Sequence, residues 1–163
     1  MLTWSERLTL WNQYEILKKL DPDQVKEYEA NQEILSCGYE QYYSELNASI
    51  VTETVNPSVS QEVQNILDVF RAIKFSCKKY KYTPKSTWAQ FEGFDGNGDE
   101  GHYGFARFVR RTLGKWEELA DRPDNSHSSA SLGHYRAMVD VWNRLGRSFD
   151  LTPSQIEQIA DAQ

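Results

Sequence analysis

The 163-residue chain has few of the residues that build specialised frameworks. It has only two cysteines, Cys37 and Cys77, far apart and in neither a Cys-x-x-Cys pair nor a metal-ligand spacing, so buried thiols in a reducing cytoplasm are expected rather than a disulfide scaffold. No apolar run approaches the ~18 residues that would span a bilayer, and the amino terminus enters a polar helix pattern at Thr3-Trp4-Ser5-Glu6, so neither a membrane anchor nor an ordinary export signal is expected. Three histidines, His102, His127 and His134, form no His-x-x-x-His or His-Glu-x-x-His pattern. Ordinary apolar residues are also scarce: the hydrophobic share is 39% with tyrosine counted, against roughly 45–50% in typical globular domains. The chain compensates with five Trp, nine Tyr and seven Phe, each able to bury on the order of 150–250 Å².

What is present reads as helix nearly throughout. Thr3 and Glu6 form a capping box before Leu8, Trp11, Ile16, Leu17 and Leu20, and Asp21-Pro22 ends that helix and is expected to cap the next. Val25, Tyr28, Ile34 and Leu35 mark a second helix ending at Gly38, and Tyr39, Tyr42, Tyr43 and Leu46 a short third. Asn47 to Pro57 lacks helical period and reads as a connection, with an extended stretch at Ile50, Val51 and Thr52. Ser58 and Gln61 read as a second capping box for a long helix along Val63, Ile66, Leu67, Phe70, Ile73 and Cys77. Tyr82 to Gly98 reads as loop with room for a brief strand near Trp88 to Phe91, after which Asp99 is expected to cap a helix with the stripe Phe105, Phe108, Val109, Thr112 and Trp116, broken at Gly114. A polar linker from Ala120 to Ser131 leads to Leu132, Tyr135, Met138, Val139, Trp142 and Leu145, stopped by Gly146. Thr152-Pro153-Ser154-Gln155 opens a final short helix, with Leu151 placed to staple Ile156. The expected fold is therefore all-α, one compact domain over residues 1–163, with about six to eight helices, long polar loops and at most one very short strand pair.

Four ordered blocks carry a family resemblance: Glu6-Arg7-Leu8 with Asn12-Gln13-Tyr14 and Leu20-Asp21-Pro22; Gly38-Tyr39; Phe91-Glu92-Gly93-Phe94-Asp95-Gly96-Asn97; and Asn125-Ser126-His127 leading to Tyr135-Arg136-Ala137-Met138 and Trp142. Together they resemble the YfbU family of uncharacterised bacterial proteins over essentially the whole chain. The resemblance implies an all-helical, cytoplasmic, self-associating protein without an assigned reaction or cofactor.

The residues themselves offer several chemistries. Asp95, Asn97, Asp99 and Glu100 alternate like a calcium loop, yet the sixth position counted from Asp95 is Glu100 rather than Gly and the twelfth is Ala106 rather than Glu, so a turn is the better reading. The preferred ligand or loop-tethering site joins Asp95, Asn97 and Glu100 to Asn125, Ser126 and His127, with the carboxylates and amides accepting and His127 titratable. A metal-assisted hydrolase would need the 94–102 and 124–134 loops to gather His102, His127 and His134 with carboxylates. Charge is segregated: residues 1–70 carry 4 basic and 12 acidic side chains, 71–115 carry 10 and 4, and 116–163 carry 4 and 8, within a total of −6. The central basic island, with Arg71, Lys74, Lys78, Lys79 and Lys81 interleaved by Phe75, Tyr80 and Tyr82, has the composition of a phosphate and base contact surface, and Arg107, Arg110 and Arg111 add a helical cluster. Pairing of the island with its acidic flanks is the competing and preferred explanation, nucleic acid the reserve. Trp4, Trp11 and Tyr14, with Tyr39, Tyr42 and Tyr43, are more aromatics than one buried stripe requires, which predicts a homo-oligomer, a dimer at least.

Overall fold

The computed structural model describes residues 1–47, 54–98, 101–127 and 130–163, whose regular structure is helical. They group into two compact units, residues 1–54 and 55–163. In the first unit, Thr3 Oγ1 accepts from the Glu6 amide and the Glu6 carboxylate accepts from the Thr3 amide at 2.7 Å, opening α1 (Trp4–Leu20). Pro22 ends it and begins a 3-10 turn, Pro22–Gln24, leading into α2 (Val25–Cys37). Asp21 does not cap that turn with its side chain; its Oδ2 accepts instead from Gln24 Nε2 and the Tyr28 hydroxyl. Gly38, at φ 70°, terminates α2 as the spacing predicts. The hairpin is joined by polar ties: Gln32 Nε2 donates to the Trp11 carbonyl and to Glu15 Oε1, and Arg7 donates to the Leu35 carbonyl. The predicted third helix is replaced by two 3-10 turns, Glu40–Tyr42 and Glu45–Asn47, because so short an aromatic segment cannot meet the cost of nucleating an α-helix. The extended stretch expected at Ile50 to Thr52 lies outside the described residues.

The second unit is organised by α3 (Pro57–Tyr80), whose Val63, Ile66, Leu67, Phe70 and Ile73 are each 2% exposed or less. It begins earlier than expected. Asn56 Oδ1 accepts from the Ser58 amide at 2.9 Å and Pro57 takes the first helical position, so Ser58 to Gln61 lie inside the helix rather than capping it. Around α3 pack α4 (His102–Arg107), α5 (Ala130–Arg144) and α6 (Pro153–Ala160). The Thr152 and Gln155 box opens α6, and Leu151 and Ile156 are both fully buried. An aromatic cluster fills the centre, with Phe70 edge-on to Tyr135 at 5.1 Å and Phe91 edge-on to Phe94 at 5.5 Å.

Trp88 to Phe91 holds a 3-10 turn, Thr87–Ala89, and the described residues contain no strand; the only pairing is an isolated parallel bridge between Phe94 and Asn125. The stripe expected after Asp99 is met only in part. α4, with His102 and Ala106 buried, passes directly into a π-helical turn, Phe108–Thr112; of the expected stripe Val109 and Trp116 are buried and Phe105 is half-buried, whereas Phe108 and Thr112 are exposed, and the wider winding of the turn brings Arg110 inward beside Val109. Gly114, at φ 63°, ends the segment. Asp99 lies outside the described residues.

Candidate functional site

The two polar loops singled out by the sequence meet. The Phe94 amide donates to the Asp124 carbonyl and the Ser126 amide donates to the Phe94 carbonyl, both at 3.0 Å. Asn125 Oδ1 accepts from the Gly96 amide at 3.1 Å and the His127 amide at 2.8 Å, so one side chain ties both loops. Asp95 Oδ1 accepts from the Asn97 amide, a local turn of the kind Asp favours. Ser126 Oγ lies 3.1 Å from Ser131 Oγ, and His127 is exposed at φ 53°. Glu100 lies outside the described residues. Beneath the tie, the Tyr135 hydroxyl accepts from the Glu92 amide and donates to the Gly93 carbonyl, both at 3.1 Å; burial pushes its pKa up to about 12. The acceptors seen here are occupied by backbone amides, which is what a loop clamp requires.

The histidines occupy three separate environments. His102 is buried with Nε2 at 2.7 Å from Glu62 Oε2, and Arg136 holds the same carboxylate through Nε at 2.7 Å, so Arg136 first and His102 second draw the Glu62 carboxyl below its ordinary range. His134 stacks on Trp88 and contacts the Ala160 carbonyl, and His127 faces solvent. Among the described residues no three His, Cys, Asp or Glu side chains stand close enough to hold a metal ion.

The clamp's main support is a residue that sequence reasoning placed on a basic surface cluster. The π turn aims Arg110 inward, where its Nη1 donates to the Pro123 carbonyl and Asp124 Oδ1, and its Nη2 to the Leu119 and Arg122 carbonyls. Its guanidinium lies 4.9 Å from the Phe91 ring centre, and Nε is buried without a hydrogen bond. Burial pulls its pKa down, opposed by the charge of Asp124. Arg111 adds a second fork to Asp124 from the exposed side. The signal that marks Arg110 is the extra residue of the π turn, which amphipathic spacing does not register.

The basic island is largely engaged within its own unit. Arg71 pairs with Glu118 and lies over Trp116, Lys74 reaches Asp121 at 2.9 Å, and Lys79 reaches Asp150 at 2.5 Å. Among the described residues Lys78 and Lys81 have no carboxylate partner. In the first unit the opposite situation holds. α1 buries none of its 17 residues, and Trp4, Leu8, Ile16, Leu17 and Leu20 are 37–74% exposed. Beside them Trp4, Arg7, Leu8, Trp11, Leu35 and Ser36 line a groove of about 340 Å³.

An all-helical protein with a clamped loop pair, a self-paired basic island and an apolar helical hairpin is the class these features define. The chain belongs to the YfbU family: the family model, described as the YfbU domain, matches residues 1–162 and so spans both compact units. A UPF0304 protein of Methanocaldococcus jannaschii is 32% identical over 174 residues, covering 99% of this chain and 100% of the relative. Among the described residues no helix is long and apolar enough to cross a membrane.

Proposed function

We propose that this is a non-enzymatic cytoplasmic protein that self-associates, with the α1–α2 hairpin as the contact between copies. The observation that carries the reading is α1. Its half-buried residues Arg7, Leu10, Trp11, Tyr14 and Lys18 fall on the side turned to α2, while Ile16 and Leu20 fall on the opposite side and are 58% and 74% exposed, and Leu8, 43% exposed, lies between the two sides at the groove with Trp11 and Leu35. A helix apolar on two sides needs two partners. The hairpin's own core is small, Leu35 being the one apolar residue buried within its two helices. Pairing two such hairpins would build the four-helix arrangement in which both sides of α1 are covered. Exposed Trp4, Tyr39 and Tyr42 suit such a contact. Cys37 is exposed rather than buried as expected, and Cys77 is half-buried; the reducing compartment is supported only by the scarcity of cysteines in the sequence.

Light scattering on the full chain tests this. The expected result is a dimer or larger, with Ile16→Glu combined with Leu20→Glu weakening association at least about tenfold while the helical signal is retained. A strict monomer at high protein concentration overturns self-association, and an unchanged mass for the double variant overturns the hairpin as the contact. Nucleic-acid binding through Arg71, Lys74, Lys78, Lys79 and Lys81 is the less favoured reading, since a phosphate backbone would have to compete with Glu118, Asp121 and Asp150 for three of these cations.

A further inference from the structure

The second unit contains a cavity of about 260 Å³ that neither the loop clamp nor self-association uses. Its wall is apolar, formed by Phe70 and Ile73 of α3, Phe91 and Leu119, and its mouth carries Lys74, Asp121 and Arg122. Cations outnumber the anion at that mouth. Asp121 is already taken by Lys74 at 2.9 Å, which is also the main reason its carboxyl is held below the ordinary range. Arg122 is anchored by one bond only, Nε donating to the Phe91 carbonyl at 2.8 Å; its two terminal nitrogens make no hydrogen bond among the described residues. A half-buried guanidinium fixed at its root and unfilled at its tip, over an aromatic wall, suits a ligand with a negative head and an apolar body. Size narrows the body further, because an apolar cavity of about 150 Å³ accepts benzene, so this one holds a single ring with a short chain.

We propose that the cavity binds a small organic acid, its ring or chain against Phe70, Ile73, Phe91 and Leu119 and its carboxylate against Arg122, with Lys74 beside it. An amine is disfavoured, since it would have to take Asp121 from Lys74 while facing Arg122. The inference concerns the second unit and does not depend on the hairpin contact.

The test uses the full chain carrying Cys37→Ser, so that Cys77, which lines the cavity, is the one thiol. Phenylpropionate, phenylpropionamide and phenylpropylamine are titrated by calorimetry, and each is then tested for protection of Cys77 against a maleimide at mildly alkaline pH. Phenylpropionate is expected to bind saturably and slow the labelling, with the amide weaker by roughly tenfold and the amine weaker still. Arg122→Gln should reduce the acid's affinity about tenfold and leave the amide's unchanged. If that variant loses its fold with the Phe91 tie, Lys74→Gln serves instead: the side chain is 44% exposed, and removal of its charge frees Asp121 to repel the acid. Equal binding of acid and amide overturns the carboxylate assignment. Absence of saturable binding by any of the three up to about 1 mM, or binding that leaves Cys77 labelling unchanged, overturns the site.

Discussion

Gly93 shows how much of the loop clamp rests on one missing side chain. It sits at φ 90°, and a Cβ there would stand 2.5 Å from the carbonyl carbon and oxygen of Asp124 and 2.7 Å from the amide nitrogen of Asn125. These are backbone atoms fixed by the Phe94 and Ser126 hydrogen bonds, so they have nowhere to go. Gly93→Ala is therefore expected to cost about 3 kcal/mol or more in urea unfolding. Gly133→Ala is its control: the position is in α5, nothing lies within 4 Å of the added methyl, and a gain of roughly 0.5–1 kcal/mol is expected from helix preference alone. A loss at Gly133 as large as at Gly93 would refute the close-approach explanation. Such a distinction is invisible in the sequence, where both are simply glycines next to polar or helical residues. Arg110 is a similar case, since nothing in its neighbours separates it from the exposed Arg107 until the π turn sets its direction.

At the scale of elements, what was legible followed the range of the interaction that sets it. Helix starts at Thr3 and Thr152 and stops at Gly38 and Gly146 were readable because a cap is decided within four residues. The meeting of the 94–97 and 125–127 loops was readable because both are rich in side chains that bond backbone amides. The π turn, the single-residue bridge and the two 3-10 turns after Gly38 were not, being settled by packing against distant segments. Caps that read alike also differ in consequence. α6 buries Ile156, Ile159 and Ala160 against the core, so Thr152→Ala is expected to lower global stability by about 1 kcal/mol. α1 buries nothing, so Thr3→Ala should fray its first turn, seen as faster amide exchange at Glu6 and Arg7, with a clearly smaller shift in the urea midpoint. Equal midpoint shifts for the two variants would contradict this division.

For the whole molecule, a net charge of −6 conceals an arrangement in which the basic centre of the chain is tied to its acidic end. Lys79 and Tyr80 hold Asp150, Lys74 holds Asp121, and Glu157 accepts from the Tyr82 hydroxyl at 2.5 Å and from the Lys85 and Ser86 amides. These donors draw the Asp150, Asp121 and Glu157 carboxyls below their ordinary values, as Arg136 and His102 do for Glu62. A carboxyl lowered by folding contributes stability that is fully present above its unfolded value, about 3.9 for Asp and 4.3 for Glu, and is lost as pH falls through the lower folded value. The urea midpoint should accordingly be level from neutrality to about pH 5 and then decline with each further step toward acid. Glu157→Gln keeps an oxygen for the tyrosine and amide donors but cannot be protonated as an acid. It is expected to lower the midpoint at pH 7 and make the decline below pH 5 shallower, so that the two curves converge in acid. Parallel curves would show that Glu157 does not contribute to the acid lability, and a midpoint unchanged at neutral pH would show that its charge does not hold the chain's basic centre to its end.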